Sequence, residues 1–182
     1  MAELDDLLLI RQCLQGHSGS FGALIDRYQK PIFNVALRMV HDDDDAADIA
    51  QAVFVKAFEN LRSFNPKHRF FSWIYRMAVN ESINLIKRTE RFEGMQEEPA
   101  AIAKTPADDY EEGETSAAIR RALATLNLDY RAVIILKHFE GFSYLEIAEI
   151  LGIPEKKVKS RLFTARTMLK DILLKQGFAQ YD

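Results

Sequence analysis

Apolar residues in this chain recur at intervals of three and four and almost nowhere at two. A spacing of three and four lays a stripe along one side of a helix, whereas alternation at two marks a half-buried strand, so the pattern predicts an all-α protein. The pattern is sharpest between Ser143 and Leu169. Ser143-Tyr-Leu-Glu146 has the form of a capping box and opens a helix whose Ile147, Ala148 and Leu151 face inward. Gly152 ends that helix and permits a tight turn. Pro154 suits the first position of the next helix, which Val158, Leu162, Ala165 and Leu169 stripe with apolar side chains. Two short helices joined in this way make a helix-turn-helix. Its second helix exposes Lys156, Lys157, Lys159, Ser160, Arg161 and Arg166, the basic leading end that a major-groove reader presents to phosphates and guanine edges.

The N-terminal half is helical by the same criterion. Leu4, Leu7, Leu8 and Cys13-Leu14 suggest a first helix; Cys13 reads as a buried structural thiol, and as the single cysteine it excludes an intramolecular disulfide. Phe21 to Val40 reads as a long helical stretch that Pro31 breaks or kinks. The run Asp42 to Asp45 caps a helix from about Asp44 to Leu61, because carboxylates suit the free N–H groups and the positive end of the dipole. A calcium loop there would need Gly at its sixth position and Glu at its twelfth, where Ala47 or Asp48 and Val53 or Phe54 stand, so neither metal nor cofactor is expected. Ile49, Val53, Ala57 and Leu61 form the inward stripe of that helix. Asp48, Gln51, Ala52, Val55 and Glu59 form a second face, either plain solvated surface or a docking face for a partner helix.

A formal net charge of −3 argues weakly against a polyanionic partner until it is resolved along the chain. Lys and Arg stand against Asp and Glu as 5 to 10 in residues 1–60, 7 to 2 in 61–92, 1 to 8 in 93–118 and 11 to 7 in 119–182. Two basic blocks thus flank an acidic stretch, and a nucleic acid responds to such clusters rather than to the net value. Residues 93–113 carry Gly94, Pro99, Pro106 and Gly113 with little large apolar character, and read as a flexible acidic linker between two small helical domains, 1–92 and 114–182. No apolar run approaches the roughly 20 residues of a membrane span, and the expected location is cytoplasmic.

In the first basic block, Lys67, His68, Arg69, Phe70, Phe71, Trp73, Tyr75 and Arg76 interleave cations with aromatics, and Lys87, Arg88 and Arg91 follow. Single-stranded nucleic acid asks for this mixture, since cations track phosphates while rings replace base stacking at roughly 1–3 kcal/mol per base. Phe70, Ile74, Met77 and Ala78 also recur at helical spacing, so some rings belong to the core, and Trp73 suits either role. The tract Asn80-Glu81-Ser82-Ile83-Asn84, between an aromatic helix and a basic one, offers short polar side chains to the edges of an unstacked base or simply interrupts the helix.

Three tracts, Asp48-Ile-Ala-Gln51-Ala-Val-Phe54, Phe71-Ser-Trp73-Ile-Tyr75-Arg76-Met-Ala78-Val-Asn80 and Ser143-Tyr-Leu-Glu146-Ile-Ala148 through Val158-Lys-Ser-Arg161-Leu-Phe-Thr-Ala165-Arg166, together resemble the small two-domain bacterial sigma factors of the sigma-70 family, the extracytoplasmic-function (ECF) group. The resemblance covers essentially the whole chain. It implies a transcription initiation factor, without catalysis of its own, that binds core RNA polymerase, directs it to promoters and helps melt the minus-ten element. It implies that Asp48, Gln51, Ala52, Val55 and Glu59 dock on the clamp helices of the largest polymerase subunit, and that the polymerase flap receives the C-terminal domain. Residues 1–92 would be sigma region 2, with Lys67, Arg69, Phe71, Trp73, Tyr75, Arg76, Lys87 and Arg88 on the opened minus-ten strand. Asn80, Ser82 and Asn84 would lie at a pocket for a flipped base, whose unstacking costs a few kcal/mol. Residues 114–182 would be region 4, with Ser143, Tyr144, Lys156, Lys157, Lys159, Ser160, Arg161 and Arg166 on the duplex minus-thirty-five element. The acidic linker would follow the polymerase's RNA channel, mimicking the transcript. Promoter DNA and an anti-sigma factor are the further partners implied, with no membrane insertion. Lys156-Lys157 replaces the family's common Gly-Thr pair and Asn127-Leu128 its usual Leu-Pro, which leaves the fold unaffected and the minus-thirty-five sequence open.

Two other functions fit less of the chain. A freestanding helix-turn-helix regulator explains residues 119–182 and leaves the aromatic tract without a role. A nuclease built on Asp42 to Asp45 would lack a phosphate-binding glycine loop, a paired-His metal motif and an acid-base pair.

Overall fold

The computed structural model describes residues 2–93 and 114–177, so most of the expected acidic linker lies outside the described residues. Eight α-helices follow in order: α1 Ala2–Leu14, α2 Gly19–Val40, α3 Asp43–Glu59, α4 Phe70–Glu93, α5 Glu114–Ala124, α6 Leu128–Ile134, α7 Tyr144–Leu151 and α8 Glu155–Lys175. A 3-10 turn, Leu61–Ser63, follows α3, and α6 runs on into a π-helical turn at Ile135–Phe139. Among the described residues there is no strand.

Local chemistry sets the ends of these helices. Asp42 holds extended backbone and accepts the Asp45 N–H at 2.9 Å, with Asp43, Asp44 and Asp45 in the first turn, which is the capping role expected of the acidic run. The helix begins one residue earlier than expected and ends at Glu59, Leu61 passing into the 3-10 turn. Pro31 does not divide α2, which runs through it unbroken. Packing of α2 against α3 on one side and α4 on another outweighs the one helical hydrogen bond that proline forgoes.

The first half packs α2, α3 and α4 around Leu24, Ile32, Val35, Met39, Val53, Ala57, Phe70, Ile74 and Ala78, all buried, and the predicted α3 stripe of Ile49, Val53, Ala57 and Leu61 lies within this core. α1 lies against α2 through Ile10 and through Asp6, a carboxylate only 2% exposed. Asp6 is ion-paired with Arg27 and accepts the Tyr28 hydroxyl at 2.5 Å. Burial, and then that carboxylate, push the Tyr28 phenol well above its ordinary range. Cys13 is half-buried rather than fully enclosed, and burial raises its thiol pKa.

The second half packs α5 to α8 around Leu123, Val133, Leu136, Ile147, Ile150, Val158 and Leu162. The two halves touch, and their apolar interiors merge into one cluster. Arg131 contributes to the junction. Although buried, it donates to the carbonyls of Leu123 at 3.0 Å and Ala124 at 2.6 Å in its own half, and to that of Met39 at 2.6 Å at the end of α2.

Candidate docking and nucleic-acid surfaces

The second face of α3 is open to solvent. Asp48, Gln51, Val55 and Glu59 are exposed and Ala52 is partly so. Beside it, α2 and α3 leave a groove of about 660 Å³ lined by Phe21, Ile25, Ala50, Phe54, Val55 and Phe58, with Gln29, Gln51 and Glu59 at its polar edge. Val55 is 50% and Phe58 49% exposed, and the Phe58 ring stands edge-on to Phe21 with centroids 5.1 Å apart. A half-exposed aromatic on an apolar floor is what a partner helix buries. The sequence pattern located the α3 side of this groove; the α2 wall becomes visible only when the two helices are brought together.

α4 is one continuous helix, so the break expected at Asn80 to Asn84 does not occur. Phe70, Ile74 and Ala78 run down its inner side, and Ser82 falls one step further on, fully buried with its hydroxyl donating to the Ala78 carbonyl at 2.8 Å. Satisfied by its own helix, Ser82 offers no surface to a base, which corrects its expected place beside Asn80 and Asn84; both of those are exposed. Trp73 is half-buried against Phe64 and Phe70, at 5.3 and 5.8 Å between centroids, and so belongs mainly to the core. Lys67, Lys87 and Arg88 remain exposed.

Four other members of the tract converge on the C-terminal half. Phe71 stacks on Phe142 at 5.4 Å with an interplanar angle of 8°, and Tyr75 meets the same ring edge-on at 4.9 Å. The Tyr75 hydroxyl donates to Glu140 at 3.1 Å; burial and that carboxylate raise the phenol's pKa, while burial also raises that of Glu140. The Arg69 backbone N–H donates to the Glu149 carboxylate and its guanidinium to Glu146, both at 3.2 Å. Arg76 donates to the Ile150 carbonyl at 2.9 Å and to that of Glu149, capping the last turn of α7.

The helix-turn-helix forms as the sequence predicts. Ser143 Oγ accepts the Glu146 N–H at 3.2 Å while Glu146 accepts the Ser143 N–H at 2.9 Å, and Gly152 turns the chain with φ 64°. Burial pushes the Glu146 carboxyl up, but its bonds from Ser143 and the nearby Arg69 outweigh that and hold it below its usual value. Lys156, Lys157, Lys159, Ser160 and Arg166 are exposed on α8, whereas Arg161 is ion-paired with Asp129 of α6 and largely covered. Phe163, which the sequence reading missed, is 76% exposed and shares a helix face with Lys156, Lys159 and Ser160. Tyr144 lies between Lys137 and Lys159, whose nitrogens stand 5.1 and 5.8 Å from its ring centre.

Comparison with known proteins agrees with this layout. Residues 24–92 match sigma-70 region 2, and residues 116–169 match sigma-70 region 4. The RNA polymerase sigma-H factor of Pseudomonas aeruginosa is 30% identical, over 95% of this chain and 96% of its own length. The ECF RNA polymerase sigma factor SigW of Bacillus subtilis is 32% identical, over 88% of this chain and 92% of its own. The chain belongs to the sigma-70 family, in its ECF group. This sigma factor is therefore a transcription initiation factor, and the freestanding-regulator alternative leaves its region 2 match unexplained. Its fold is similar to that of CnrH in complex with the cytosolic domain of CnrY, with TM-score 0.72, 27% identity and coverage of 93% of this chain and 97% of that one. It is also similar to the sigma factor RpoE in complex with the anti-sigma factor NepR from Bartonella quintana, with TM-score 0.70, 26% identity and coverage of 84% and 96%. No helix among the described residues is long and apolar enough to cross a membrane.

Proposed function

We propose that this sigma factor docks core RNA polymerase on the α2–α3 groove, holds the opened minus-ten strand with the exposed and releasable residues of α4, and reads the minus-thirty-five duplex with α8. The observation that carries the reading is the groove: an apolar floor with Val55 and Phe58 half-exposed, rimmed by Gln51 and Glu59, on the face where the sequence motif lies. Asp48, Gln51, Ala52, Val55 and Glu59 would meet the clamp helices. The region 2 unit is residues 1–92, the region 4 unit 114–182, and residues 93–113 connect them through the polymerase's RNA channel. Lys67, Arg69, Arg76, Lys87 and Arg88 would neutralise phosphates, Phe71, Tyr75 and the free edge of Trp73 would stack on bases, and Asn80 and Asn84 would bond a flipped base.

On α8, Lys156, Lys157, Lys159, Ser160 and Arg166 face the groove of the duplex, Ser143 and Tyr144 the adjoining phosphates, and Phe163 is placed to touch a thymine methyl. Arg161 then acts chiefly by fixing α8 to α6 through Asp129. The protein has no catalytic step of its own, works in the cytoplasm, and pairs with an anti-sigma factor, as the RpoE of Bartonella quintana does with NepR. Sedimentation with core polymerase tests the docking assignment. Val55→Glu, an exposed change, should abolish co-migration while leaving the helical circular dichroism intact, and undiminished co-migration would overturn it.

A further inference from the structure

We propose that His138 is a positioning residue for DNA: its neutral imidazole aims the Arg166 guanidinium at a phosphate on the wall of the groove that α8 enters. This deepens the assignment of α8 to the minus-thirty-five duplex and rests on it. The cations of α8 that are tied down are not tied alike. Arg161 is ion-paired with Asp129, and Lys159 with Glu155 at 2.7 Å. Both are oriented but neutralised, because a phosphate has to displace the carboxylate that holds them. Arg166 is held instead by a neutral acceptor, its Nε donating to His138 Nε2 at 3.1 Å. Among the described residues no carboxylate meets Arg166, so the tie fixes its direction and leaves its full charge and both Nη groups to a ligand.

The π-helical turn supplies the acceptor. The Glu140 N–H reaches back to the Ile135 carbonyl at 3.2 Å, one residue further than in an α-turn. Ile135 and Leu136 stay in the core, while His138 on the same turn stands exposed beside α8. Imidazole accepts only while neutral, since its protonated form carries N–H donors on both nitrogens. The charged groups that face it are Arg166 from α8 and its neighbour Lys137; burial, and then these two cations, hold its pKa below the ordinary value. Arg38, which reaches the same turn from α2, is turned to Phe139 and Glu140 instead. The ring is thus kept in its accepting form. The place of Arg166 defines the ligand. It lies three turns beyond Glu155 at the start of α8, whereas base edges are read by the leading end of a recognition helix, so phosphate is what it meets. An arginine aimed beforehand leaves DNA less to order, and loss of the tie should weaken binding about three- to tenfold.

The test measures, over a range of salt, binding of the reconstituted holoenzyme to a duplex carrying the minus-thirty-five element of a promoter that it selects from genomic DNA. Arg166→Ala should weaken binding and lower the salt slope by about one phosphate contact. His138→Ala removes no charge, so it should weaken binding about three- to tenfold at unchanged slope and have no further effect when added to Arg166→Ala. His138→Gln, whose amide oxygen can accept the same bond, should restore the affinity. A lowered slope in His138→Ala would overturn the proposal by making His138 itself a phosphate contact. A loss that persists beside Arg166→Ala, or that glutamine does not restore, would overturn it by making His138 merely structural. If Arg166→Ala keeps both affinity and slope, what fails is the assignment of Arg166 to DNA, and the proposal falls with it.

Discussion

A carboxylate as deeply buried as that of Asp6 has to be matched within hydrogen-bond reach, and Arg27 and Tyr28 match it. Asp6→Ala leaves the Tyr28 hydroxyl buried without its acceptor and should cost about 1–3 kcal/mol, read as a lower urea midpoint at unchanged slope. His41 poses the opposite problem. It ends α2 in left-handed backbone, φ 63°, with both ring nitrogens shielded from water and unbonded among the described residues. Burial, and then Arg131 and Arg120, lower its pKa from 6.5 to about 4. The unfolded chain therefore binds the proton more readily than the folded one, so stability is full above pH 6.5 and declines as pH falls toward about 4, by about 3 kcal/mol in all. His41→Asn, which tolerates the same backbone, should flatten that pH dependence in denaturation midpoints measured across the window.

α7 depends on its two ends. Ser143→Ala removes the acceptor of the first turn and the hydroxyl's bond to the Glu146 carboxylate, while the backbone N–H bond to that carboxylate remains, and should lower stability by about 0.5–2 kcal/mol, read as a lower thermal midpoint. At the other end, a methyl added to Gly152 would meet the Arg76 guanidinium at an ordinary 3.6 Å, so Gly152→Ala should cost only the left-handed backbone penalty of about 1–2 kcal/mol, measurable by the same melt. α7 and α3 were legible from sequence because cap, stripe and stop are local patterns. α4 was less so. Ser82 reads as an interruption by type, yet a short hydroxyl that bonds back one turn fits an inner stripe as well as alanine does, and only packing shows which choice the chain makes. The α2 wall of the groove and the Phe71–Phe142 stack escaped for another reason, since their partners lie far apart in sequence and leave no periodicity to read.

At the scale of the molecule, the division into two basic halves around an acidic stretch was visible in the charge distribution, but their mutual embrace was not, because Glu146 and Glu149 look like ordinary solvated acids until Arg69 is brought to them. The acidic stretch carries its own prediction. If it occupies the RNA channel, neutralising Glu97, Glu98, Asp108, Asp109, Glu111 and Glu112 should lower the ratio of abortive to full-length transcripts made by the reconstituted holoenzyme, and an unchanged ratio would remove the linker from that path. Trp73 is the only tryptophan in the chain, wedged beside Phe64 and Phe70 and flanked along α4 by the residues that clasp the other half. Excited selectively beyond the absorption of the tyrosines, that single indole reports from the helix assigned to strand capture, and its emission colour and quenching can follow the path from free factor to open promoter without any added dye.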